Sequence, residues 1–425
     1  MGSADNRPLT RLLAACETLL SDVGEASMRT VAMEALTAYA DLGDDGKLQF
    51  FAHVCTAYDV DAEQVRTAFH HWDDVRRRGS SAGEELIGLF NAVEPARQQL
   101  LRRMNHAPGA TLALVEMRSD LRRLMTLQPA LRPLDHDFHH LLTSWFNRGF
   151  LRMAEVTWKP PRQLREHLLQ YESVHPMAGE EDLRRRVQPE DRRVFAFFHP
   201  ATHELPLIFV EVALVRGTPD AIAPILQPGP ALDPALADTA ALYSINNALD
   251  GLAGVSFGSF LVKQVIEQVS VKLPNLKHFV TLSPIPGFRR WLDGQAHSDD
   301  DSRALAAELA TVGDPADLAT ERTDKIRDRL FPALHTYLTV ERREDGLPLD
   351  PVARFHLGNG AAAWRLNWPA NNSPQAWQQS YGAMVNYRYE PAQLEQRHEA
   401  FVRRRSFAVT GPLQRLADTR PDPVH

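Results

Sequence analysis

The chain has 425 residues, of which 44% are apolar and 24% are charged, and its formal net charge at pH 7 is −7. These values are typical of a folded globular protein and exclude a chain that is mainly disordered. The acidic balance argues against general nucleic-acid binding, and two cysteines, Cys16 and Cys55, are too few for a disulfide framework. The length predicts two or three domains.

The amino-terminal region is predicted to be helical over residues 9–154. Apolar residues recur three and four positions apart in this region, for example in the segments that begin at Met28 and Thr111. This spacing places them on one face of a helix. A pair of prolines at residues 160–161 then favours an extended hinge. We therefore predict an all-helical bundle in a domain of residues 1–157.

Residues 158–425 are predicted to form a second domain that mixes strands and helices. Two β-rich runs separated by a short connection indicate adjacent antiparallel strands, and a third run leads through a glycine-bearing loop into an amphipathic helix. The predicted strands are residues 194–199, 205–215, 239–245 and 276–282, and the predicted helices are residues 260–271 and much of 298–338. The chain as a whole is therefore predicted to be an α+β protein.

A hydroxyl group follows the fourth predicted strand on a rigid turn. Pro284 and Pro286 fix their own φ angles and push the residues before them, Ser283 included, toward extended geometry. A reactive side chain can be positioned in this way. The alternative is that Ser283 is an ordinary turn residue that hydrogen-bonds its own backbone.

The loop before the helix at 260–271 allows three interpretations; its residues are Ala253, Gly254, Val255, Ser256, Phe257, Gly258 and Ser259. The run Gly-Val-Ser-Phe-Gly matches the nucleophile elbow of α/β-hydrolases, in which Ser256 would be the nucleophile. Small residues at a helix start also suit a phosphate cradle, because backbone N–H groups there face an anion. In the third interpretation the glycines only tighten an ordinary turn.

A downstream segment, residues 356–368, combines a histidine, two asparagines, two glycines, an arginine and two tryptophans. A core helix rarely carries this mixture, so the segment is a candidate for part of a functional site. His356 taken alone is compatible with a satisfied core histidine, because Phe355 and Leu357 flank it. Residues 382–389 add a second group of aromatic residues and arginine.

Two further polar groups lie in otherwise regular segments. Residues 136–140 hold three histidines and an aspartate, which could supply metal ligands from neighbouring turns of a helix. A capped helix start with polar residues facing water explains them better, and we predict no metal site. Glu211 is a charge within an apolar strand and is expected either to be paired or to lie near the site.

The segments at residues 282–288 (Leu-Ser-Pro-Ile-Pro-Gly-Phe) and 355–368 together resemble the signature of malonyl-CoA decarboxylases, which convert malonyl-CoA to acetyl-CoA and carbon dioxide. The resemblance is strong over residues 158–389 and looser over the helical region. It implies a helical domain used for oligomer contacts, with a dimer or tetramer expected. It also implies that residues 158–425 form a catalytic domain similar to the GNAT acetyltransferases, and that no metal, biotin or other cofactor takes part.

The resemblance assigns roles to individual positions. Ser283 matches the family serine described as proton acceptor, and it could either hold the malonyl carboxylate or relay the proton with His356. His356 is expected to donate the proton to C2, because an imidazole, with a pKa of about 6.5, can hold and return a proton near pH 7. Tyr389 resembles a tyrosine near the substrate, and Asn359 is expected to be a further hydrogen-bond donor. Residues 253–259 are expected to bind coenzyme A.

One position departs from the family pattern. In animal members of the family, a glutamate thought to orient the histidine stands at the position of Ser256. In this chain, either another residue performs that task or the task is not essential.

The expected function is therefore decarboxylation of malonyl-CoA in the cytoplasm by a Ser/His proton-transfer dyad, in malonate use or control of malonyl-CoA levels. Nucleic-acid partners are not expected, because the net charge is acidic. Membrane partners are not expected either, because no secretion signal and no apolar run of roughly 18 residues is found. Three alternatives stay open: a GNAT-type acyltransferase that uses coenzyme A thioesters, a serine hydrolase acting through Ser256, and a non-catalytic acyl-CoA sensor.

Overall fold

The chain folds into a helical unit and a unit built on a mixed sheet. The structure, a computed structural model, describes residues 7–21, 24–158, 161–255, 260–297, 299–312 and 320–418. The first unit comprises Met1–Arg152, Phe198–Leu207 and Asn247–Ser256, and the second comprises Met153–Phe197, Ile208–Asn246 and Phe257–His425. The predicted α+β class, a helical amino-terminal region followed by a mixed sheet, is confirmed.

Helices make up most of the first unit. They are α1 (Arg7–Leu20), α2 (Glu25–Ala40), α3 (Asp44–Ala57), α4 (Ala62–Arg77), α5 (Gly83–Val93), α6 (Ala96–Met104), α7 (Ala110–Leu124) and α8 (Arg132–Trp145). In α1 the buried residues include Leu9, Leu12, Cys16 and Leu19, which recur three to four positions apart. The periodicity that predicts the helices therefore also builds their core.

A buried arginine ties the helices of the first unit to its 247–256 segment. Arg118, in α7, is 1% exposed. Its Nε donates to Asp135 Oδ1 over 2.8 Å, and its Nη1 donates to the carbonyl oxygens of Gly251 and Ala253 over 2.7 and 3.0 Å. Gly251 lies so close to α7 that a Cβ atom on it would be 1.8 Å from the carbonyl oxygen of Val115. Only glycine fits at this position.

The sheet belongs mainly to the second unit. Its strands are β1 (Arg152–Glu155), β2 (Arg192–Phe198), β3 (Pro206–Val215), β4 (Thr239–Asn247), β5 (His278–Thr281), β6 (Ser283–Pro284), β7 (Ala362–Asn367), β8 (Met384–Tyr389) and β9 (Ala408–Val409). The helices around it are α9 (Arg162–Tyr171), α10 (Glu180–Val187), α11 (Ala223–Leu226), α12 (Phe260–Lys272), α13 (Phe288–Gln295), α14 (Asp300–Ala310), α15 (Thr320–His335), α16 (Pro351–Gly358), α17 (Pro374–Ser380), α18 (Leu394–Arg404) and α19 (Gly411–Asp418). A π-helical turn, Thr336–Val340, follows α15.

The sheet has the strand order β1-β2-β3-β4-β5-β8-β7-β9, and β6 also pairs with β8. Strands β4 and β5 are parallel, as expected for strands joined by a helical crossover through α12. Strand β8 runs antiparallel to β5, β6 and β7. Strand β3 is buried along nearly its whole length, so the side chains on both of its faces are covered.

Most of the predicted elements correspond to observed ones. The four predicted strands match β2 to β5, and the helix predicted at 260–271 matches α12. The helical prediction was wrong at residues 152–154, which belong to β1, and the amide of Val156 continues that strand by donating to the carbonyl oxygen of Val194 over 2.8 Å. Strands β7 and β8 were not predicted.

The domain boundary between residues 157 and 158 stays a prediction, as does the likeness to acetyltransferases. Residues 159–160, part of the predicted hinge, lie outside the described residues. None of the helices in the described part of the chain combines the length and apolar character needed to cross a bilayer.

The contact of Gly251 with α7 gives a first test. Gly251→Ala is expected to lower the free energy of unfolding by about 1–3 kcal/mol or more, because the backbone of α7 cannot yield as a flexible side chain could. Denaturant titration followed by circular dichroism measures the change. Gly294→Ala in α13 is the control, since nothing lies within 4 Å of a Cβ there, and its effect should stay within about 1 kcal/mol. Equal losses in the two variants would contradict the packing argument.

Candidate active site

Three buried polar side chains of the second unit meet in one hydrogen-bonded group. Ser283 Oγ lies 3.0 Å from His356 Nε2, and His356 Nδ1 lies 2.8 Å from Tyr389 Oη. The histidine therefore bridges a serine hydroxyl and a tyrosine hydroxyl through its two ring nitrogens. These are the residues that the sequence interpretation named as catalytic, and the structure brings them together.

The strand register explains why the two hydroxyl groups face the same side of the sheet. Phe279 in β5 is opposite Tyr389, and Ser283 in β6 is opposite Val385, so β5 and β6 pair with β8 in one common register. Side chains alternate along a strand, and directly opposed residues share a face. Ser283 and Tyr389 are therefore on one face. The extended geometry expected before Pro284 is observed as β6.

His356 comes from a helix whose start is fixed. Helix α16 has Pro351 in its first turn and is capped by Asp350, whose carboxylate accepts a hydrogen bond from the amide of Ala353 over 2.8 Å. The imidazole stacks on the ring of Tyr387 at a centroid distance of 4.7 Å and an interplanar angle of 27°. The stacking and the two hydrogen bonds together fix the orientation of the imidazole.

The group is withdrawn from water. Ser283, His356 and Tyr389 are 5%, 4% and 2% exposed. Burial lowers the pKa of His356 from 6.5 to about 3, because surroundings of low dielectric constant penalise the imidazolium. Burial also raises the pKa of Tyr389 well above its usual value of 10. Both side chains are therefore neutral near pH 7 in the free protein.

A further set of contacts links the serine turn to the histidine helix. Tyr337, in the π-helical turn, donates its hydroxyl hydrogen to Asp350 over 3.3 Å. The same hydroxyl lies against Gly287, where a Cβ atom would come within 2.2 Å of it. Burial raises the pKa of Asp350 to about 6. Tyr337 thus contacts both the turn that follows Ser283 and the residue that caps α16.

Asn359 ends α16 close to the histidine in sequence but uses its amide group locally. Its Nδ2 donates to the carbonyl oxygen of Phe355 over 2.6 Å. Its Oδ1 is buried and has no hydrogen-bond partner among the described residues. The oxygen can accept a hydrogen bond, and Nδ2 carries a second hydrogen that can act as the expected donor. A contact between Asn359 and the substrate stays a prediction.

The predicted coenzyme A loop is described in part. Ala253, Gly254 and Val255 belong to the first unit, and Ser256, Phe257, Gly258 and Ser259 lie outside the described residues. Gly254 has a φ of +83°, and its carbonyl oxygen lies 3.0 Å from His139 Nε2. The nucleophile-elbow and phosphate-cradle interpretations both stay predictions.

The histidine-rich segment of α8 makes contacts within the first unit. His139 binds Gly254, and Asp137 pairs with Arg97 and accepts a hydrogen bond from Gln98 Nε2 over 2.6 Å. In the part of the chain that the structure describes, no group of three or more His, Cys, Asp or Glu side chains is arranged to hold a metal ion.

Glu211 in β3 lies in a buried network of the second unit. Arg186 Nη1 donates to Glu211 Oε2 over 2.9 Å, and Glu172 Oε2 lies 3.8 Å from the same nitrogen. Burial raises the pKa of both carboxyl groups. Of the two expectations for Glu211, the structure supports the paired one.

The sequence interpretation gave no individual role to four residues that contact the site. They are Thr281, whose Oγ1 lies 2.8 Å from Ser283 Oγ, and Tyr337, Asp350 and Tyr387. A signal for Asp350 was present, because an aspartate directly before a proline and an apolar run is typical of a capped helix start. Tyr387 stands in the segment 382–389 that the sequence interpretation noted only as a group, and the place of Thr281 follows from the pairing of distant strands.

The mixed sheet and the hydrogen-bonded group define an α+β protein with a buried site suited to proton transfer. Comparison with protein families identifies the group to which it belongs. The malonyl-CoA decarboxylase C-terminal domain matches residues 149–424, and the malonyl-CoA decarboxylase N-terminal domain matches residues 58–146. The chain belongs to the malonyl-CoA decarboxylase family, a family of carboxy-lyases.

Vertebrate relatives match most of the chain. The mitochondrial malonyl-CoA decarboxylase of Anser anser anser is 34% identical over 328 residues, which are 70% of this chain and 64% of that protein. The one from Rattus norvegicus is 32% identical over 333 residues, which are 71% of this chain and 67% of that protein. The chain thus spans about two thirds of the length of these relatives.

Bacterial crystal structures share the fold over nearly the whole chain. Malonyl-CoA decarboxylase from Rhodopseudomonas palustris superposes with a TM-score of 0.90 at 41% identity, covering 96% of this chain and 99% of that one. The protein of the same name from Agrobacterium vitis gives a TM-score of 0.86 at 42% identity, covering 95% and 99%.

The neutral state of His356 predicts how stability depends on pH. The imidazole has a pKa of 6.5 in its ordinary state and of about 3 when folded. Between these values the unfolded chain binds the proton and the folded chain does not. The free energy of unfolding should therefore fall as the pH falls from 6.5 toward 3, by at most about 1.4 kcal/mol per pH unit from this residue.

His356→Gln removes this contribution, so its stability should depend less steeply on pH over the same window. Urea titrations at several pH values measure both slopes, and the contributions of all other groups cancel in the comparison. Parallel curves for the two proteins would show that His356 is not held neutral by burial.

Proposed function

We propose that the chain converts malonyl-CoA to acetyl-CoA and carbon dioxide, and that Ser283, His356 and Tyr389 carry out the proton transfer. The family supports the substrate and the reaction. The observation that carries the assignment of residues is that the three side chains form one continuous, buried hydrogen-bonded group.

The reaction moves one electron pair and one proton. When the bond between the carboxylate carbon and C2 breaks, its electron pair stays on C2 and is delocalised into the thioester carbonyl as an enolate. Carbon dioxide leaves, and C2 takes a proton to become the methyl group of acetyl-CoA. The site must therefore stabilise a developing oxyanion and deliver one proton to carbon.

The charge of the substrate explains how the proton arrives. His356 is neutral in the free protein, because burial lowers its pKa. A malonyl carboxylate placed within about 4–6 Å of the imidazole favours the imidazolium and raises this pKa. Binding of the substrate then takes up one proton from water, and C2 receives that proton after carbon dioxide has left.

The two ring nitrogens divide the remaining roles. The imidazolium donates to Ser283 Oγ from Nε2 and to Tyr389 Oη from Nδ1, the two contacts already formed in the free protein. Ser283 gives its own hydrogen to C2 as it accepts the Nε2 proton, so that it never becomes a free alkoxide. Tyr389 is then free to donate its hydrogen to the enolate oxygen, where a preset donor lowers the barrier.

We also assign the orientation of His356 to Tyr389. Its hydroxyl occupies Nδ1 at 2.8 Å, and this is the task that the resemblance gives to a glutamate at the position of Ser256 in animal members. Residues 253–259 are proposed to hold coenzyme A, and the proposal includes no metal or organic cofactor.

Ser283→Ala is expected to reduce kcat for decarboxylation by about 10² to 10⁴-fold, because the proton transfer loses its relay. The purified protein is incubated with malonyl-CoA without an acyl acceptor, and acetyl-CoA and carbon dioxide are followed by mass spectrometry. The wild type should form both products in equal amounts.

Ser380→Ala is the matched control for this experiment. Ser380 is also a buried serine of the second unit, but its hydroxyl donates to the carbonyl oxygen of Ala383 over 2.7 Å, so the variant should keep its activity. Formation of free coenzyme A by the wild type would indicate a hydrolase or transferase. Binding of malonyl-CoA without any turnover would indicate a sensor, and either result overturns the proposal.

We further propose that the first unit binds a second copy of the chain through the exposed face of α4 and α5. These helices pack on each other, and no described residue of either one is fully buried. Large apolar side chains are 45% to 69% exposed on this pair, namely Phe69, Leu86, Ile87, Phe90 and Val93. A contiguous apolar face of this kind is typical of a protein interface.

Charge supports a second copy as the occupant of this face. The last turn of α4 carries Arg76 and Arg77, and the first turn of α5 carries Glu84 and Glu85. Both signs of charge therefore stand at the connected end of the two helices, where Arg77 also pairs with Asp73. Two copies related by a twofold axis can pair these opposite charges, as self-complementary interfaces require.

Phe90→Glu is expected to shift the protein toward the monomer, because a charge in the centre of the apolar face would be buried without a partner. Sedimentation velocity over a range of protein concentrations measures the shift. Val271→Glu is the control, because Val271 is 83% exposed on α12, in the other unit. A wild type that sediments as a monomer at every concentration would refute this interface.

A further inference from the structure

Thr281 adds a fourth polar side chain to the group formed by Ser283, His356 and Tyr389. Its Oγ1 lies 2.8 Å from Ser283 Oγ, and the threonine is fully buried. Thr281 and Ser283 are two positions apart in an extended segment, so both hydroxyl groups lie on the same face. The signature motifs assign no role to this threonine.

The local structure holds Thr281 in place from two directions. The backbone amide of Tyr387, in β8, donates to Thr281 Oγ1 over 3.1 Å. Asn386 Nδ2 donates to the carbonyl oxygen of Thr281 over 2.7 Å, and Asn386 Oδ1 accepts a hydrogen bond from Asn367 Nδ2 over 2.9 Å. Side chains thus take part in the pairing of β5 with β8 at this point. The position of the Thr281 oxygen is therefore fixed by contacts other than the one with Ser283.

The contact between Ser283 and Thr281 determines the positions of the hydrogen atoms in the group. A neutral imidazole has one N–H donor and one acceptor nitrogen. Because Ser283 donates its hydroxyl hydrogen to Thr281 Oγ1, its oxygen is free to accept the hydrogen of His356 Nε2. The other ring nitrogen, Nδ1, then accepts the hydroxyl hydrogen of Tyr389. The hydrogens of Ser283 Oγ, His356 Nε2 and Tyr389 Oη therefore each have one acceptor.

We infer that Thr281 is a positioning residue that places the proton of neutral His356 on Nε2, the ring nitrogen that faces Ser283, by accepting the Ser283 hydroxyl hydrogen. Without Thr281, Ser283 would donate to Nε2 instead, and the proton would move to Nδ1. The inference deepens the proposed function and rests on it for one step. In decarboxylation, Ser283 gives its hydrogen to C2 and takes a proton from His356 Nε2. The favoured tautomer keeps a proton on that nitrogen.

The tautomer can be measured directly in the substrate-free protein. Long-range ¹H–¹⁵N correlation spectra of histidine ring nitrogens distinguish Nε2–H from Nδ1–H, and the His356 signals are identified by their loss in His356→Gln. We expect Nε2–H in the wild type. Thr281→Val keeps the side-chain shape but removes the acceptor, and the proton should shift to Nδ1. Thr281→Ser restores the hydroxyl and should restore Nε2–H.

Kinetics provide a second readout. Thr281→Val should lower kcat for malonyl-CoA by about 10- to 100-fold with little change in KM, because the reacting groups are misplaced while the substrate contacts are kept. Thr281→Ser should recover most of kcat. A purely structural role would instead lower the stability of both variants and leave the tautomer of the folded protein unchanged.

The outcomes separate this inference from the proposed function. An Nδ1–H tautomer in the wild type overturns the role of Thr281, and so does an Nε2–H tautomer that persists in Thr281→Val with an unchanged kcat. If Thr281→Val does not fold, as judged by circular dichroism, the tautomer of His356 in the wild type decides whether the inference holds. A wild type that carries Nε2–H but does not decarboxylate malonyl-CoA would overturn the proposed function and leave the assigned role of Thr281 in place.

Discussion

The imidazole of His356 can bridge Ser283 and Tyr389 because β8 pairs with both β5 and β6 in one register. A slip of one residue would turn Tyr389 to the opposite face of the sheet, since side chains alternate along a strand. The histidine enters from a separate element, α16, whose start is fixed by the Asp350 cap. Tyr337 touches both that cap and the turn after Ser283. The distance between serine and histidine is therefore set by regular elements and not by a loop, which is what a site with defined geometry requires.

The parts of this arrangement that could be predicted are those with local signals. Strands β2 to β5 and the helices of the first unit follow from the spacing of their apolar residues, and Ser283 and His356 stand in unusual segments that resemble a known signature. Strand β8 reads Met-Val-Asn-Tyr-Arg-Tyr and is buried at all but one position. Its last five residues alternate between apolar or aromatic and polar side chains, which is a strand signal that the sequence interpretation did not use.

The remaining parts depend on contacts between segments that are distant in sequence. Thr281 resembles any other polar residue at a strand end until β8 is placed beside it, and Tyr387 becomes part of the site only because α16 lays an imidazole on its ring. The error at β1 has the same origin. Its first three residues stand at the end of the stretch predicted to be helical, and only their position beside β2 makes them a strand. A strand of four residues is too short for its two-residue alternation to be distinguished from the three-to-four-residue spacing of a helix.

The contrast between two buried polar groups shows why the site is neutral at rest. Glu211 is buried against Arg186, whose guanidinium group can serve as its counter-charge. The described partners of the His356 imidazole are two hydroxyl groups and three aromatic rings, and burial lowers its pKa to about 3. An imidazolium in these surroundings needs a counter-charge, and a malonyl carboxylate would bring one. Protonation and substrate binding are then coupled, because each favours the other. Once carbon dioxide has left and C2 has taken the proton, the counter-charge and the proton are both gone, and the histidine returns to the neutral state that its burial favours.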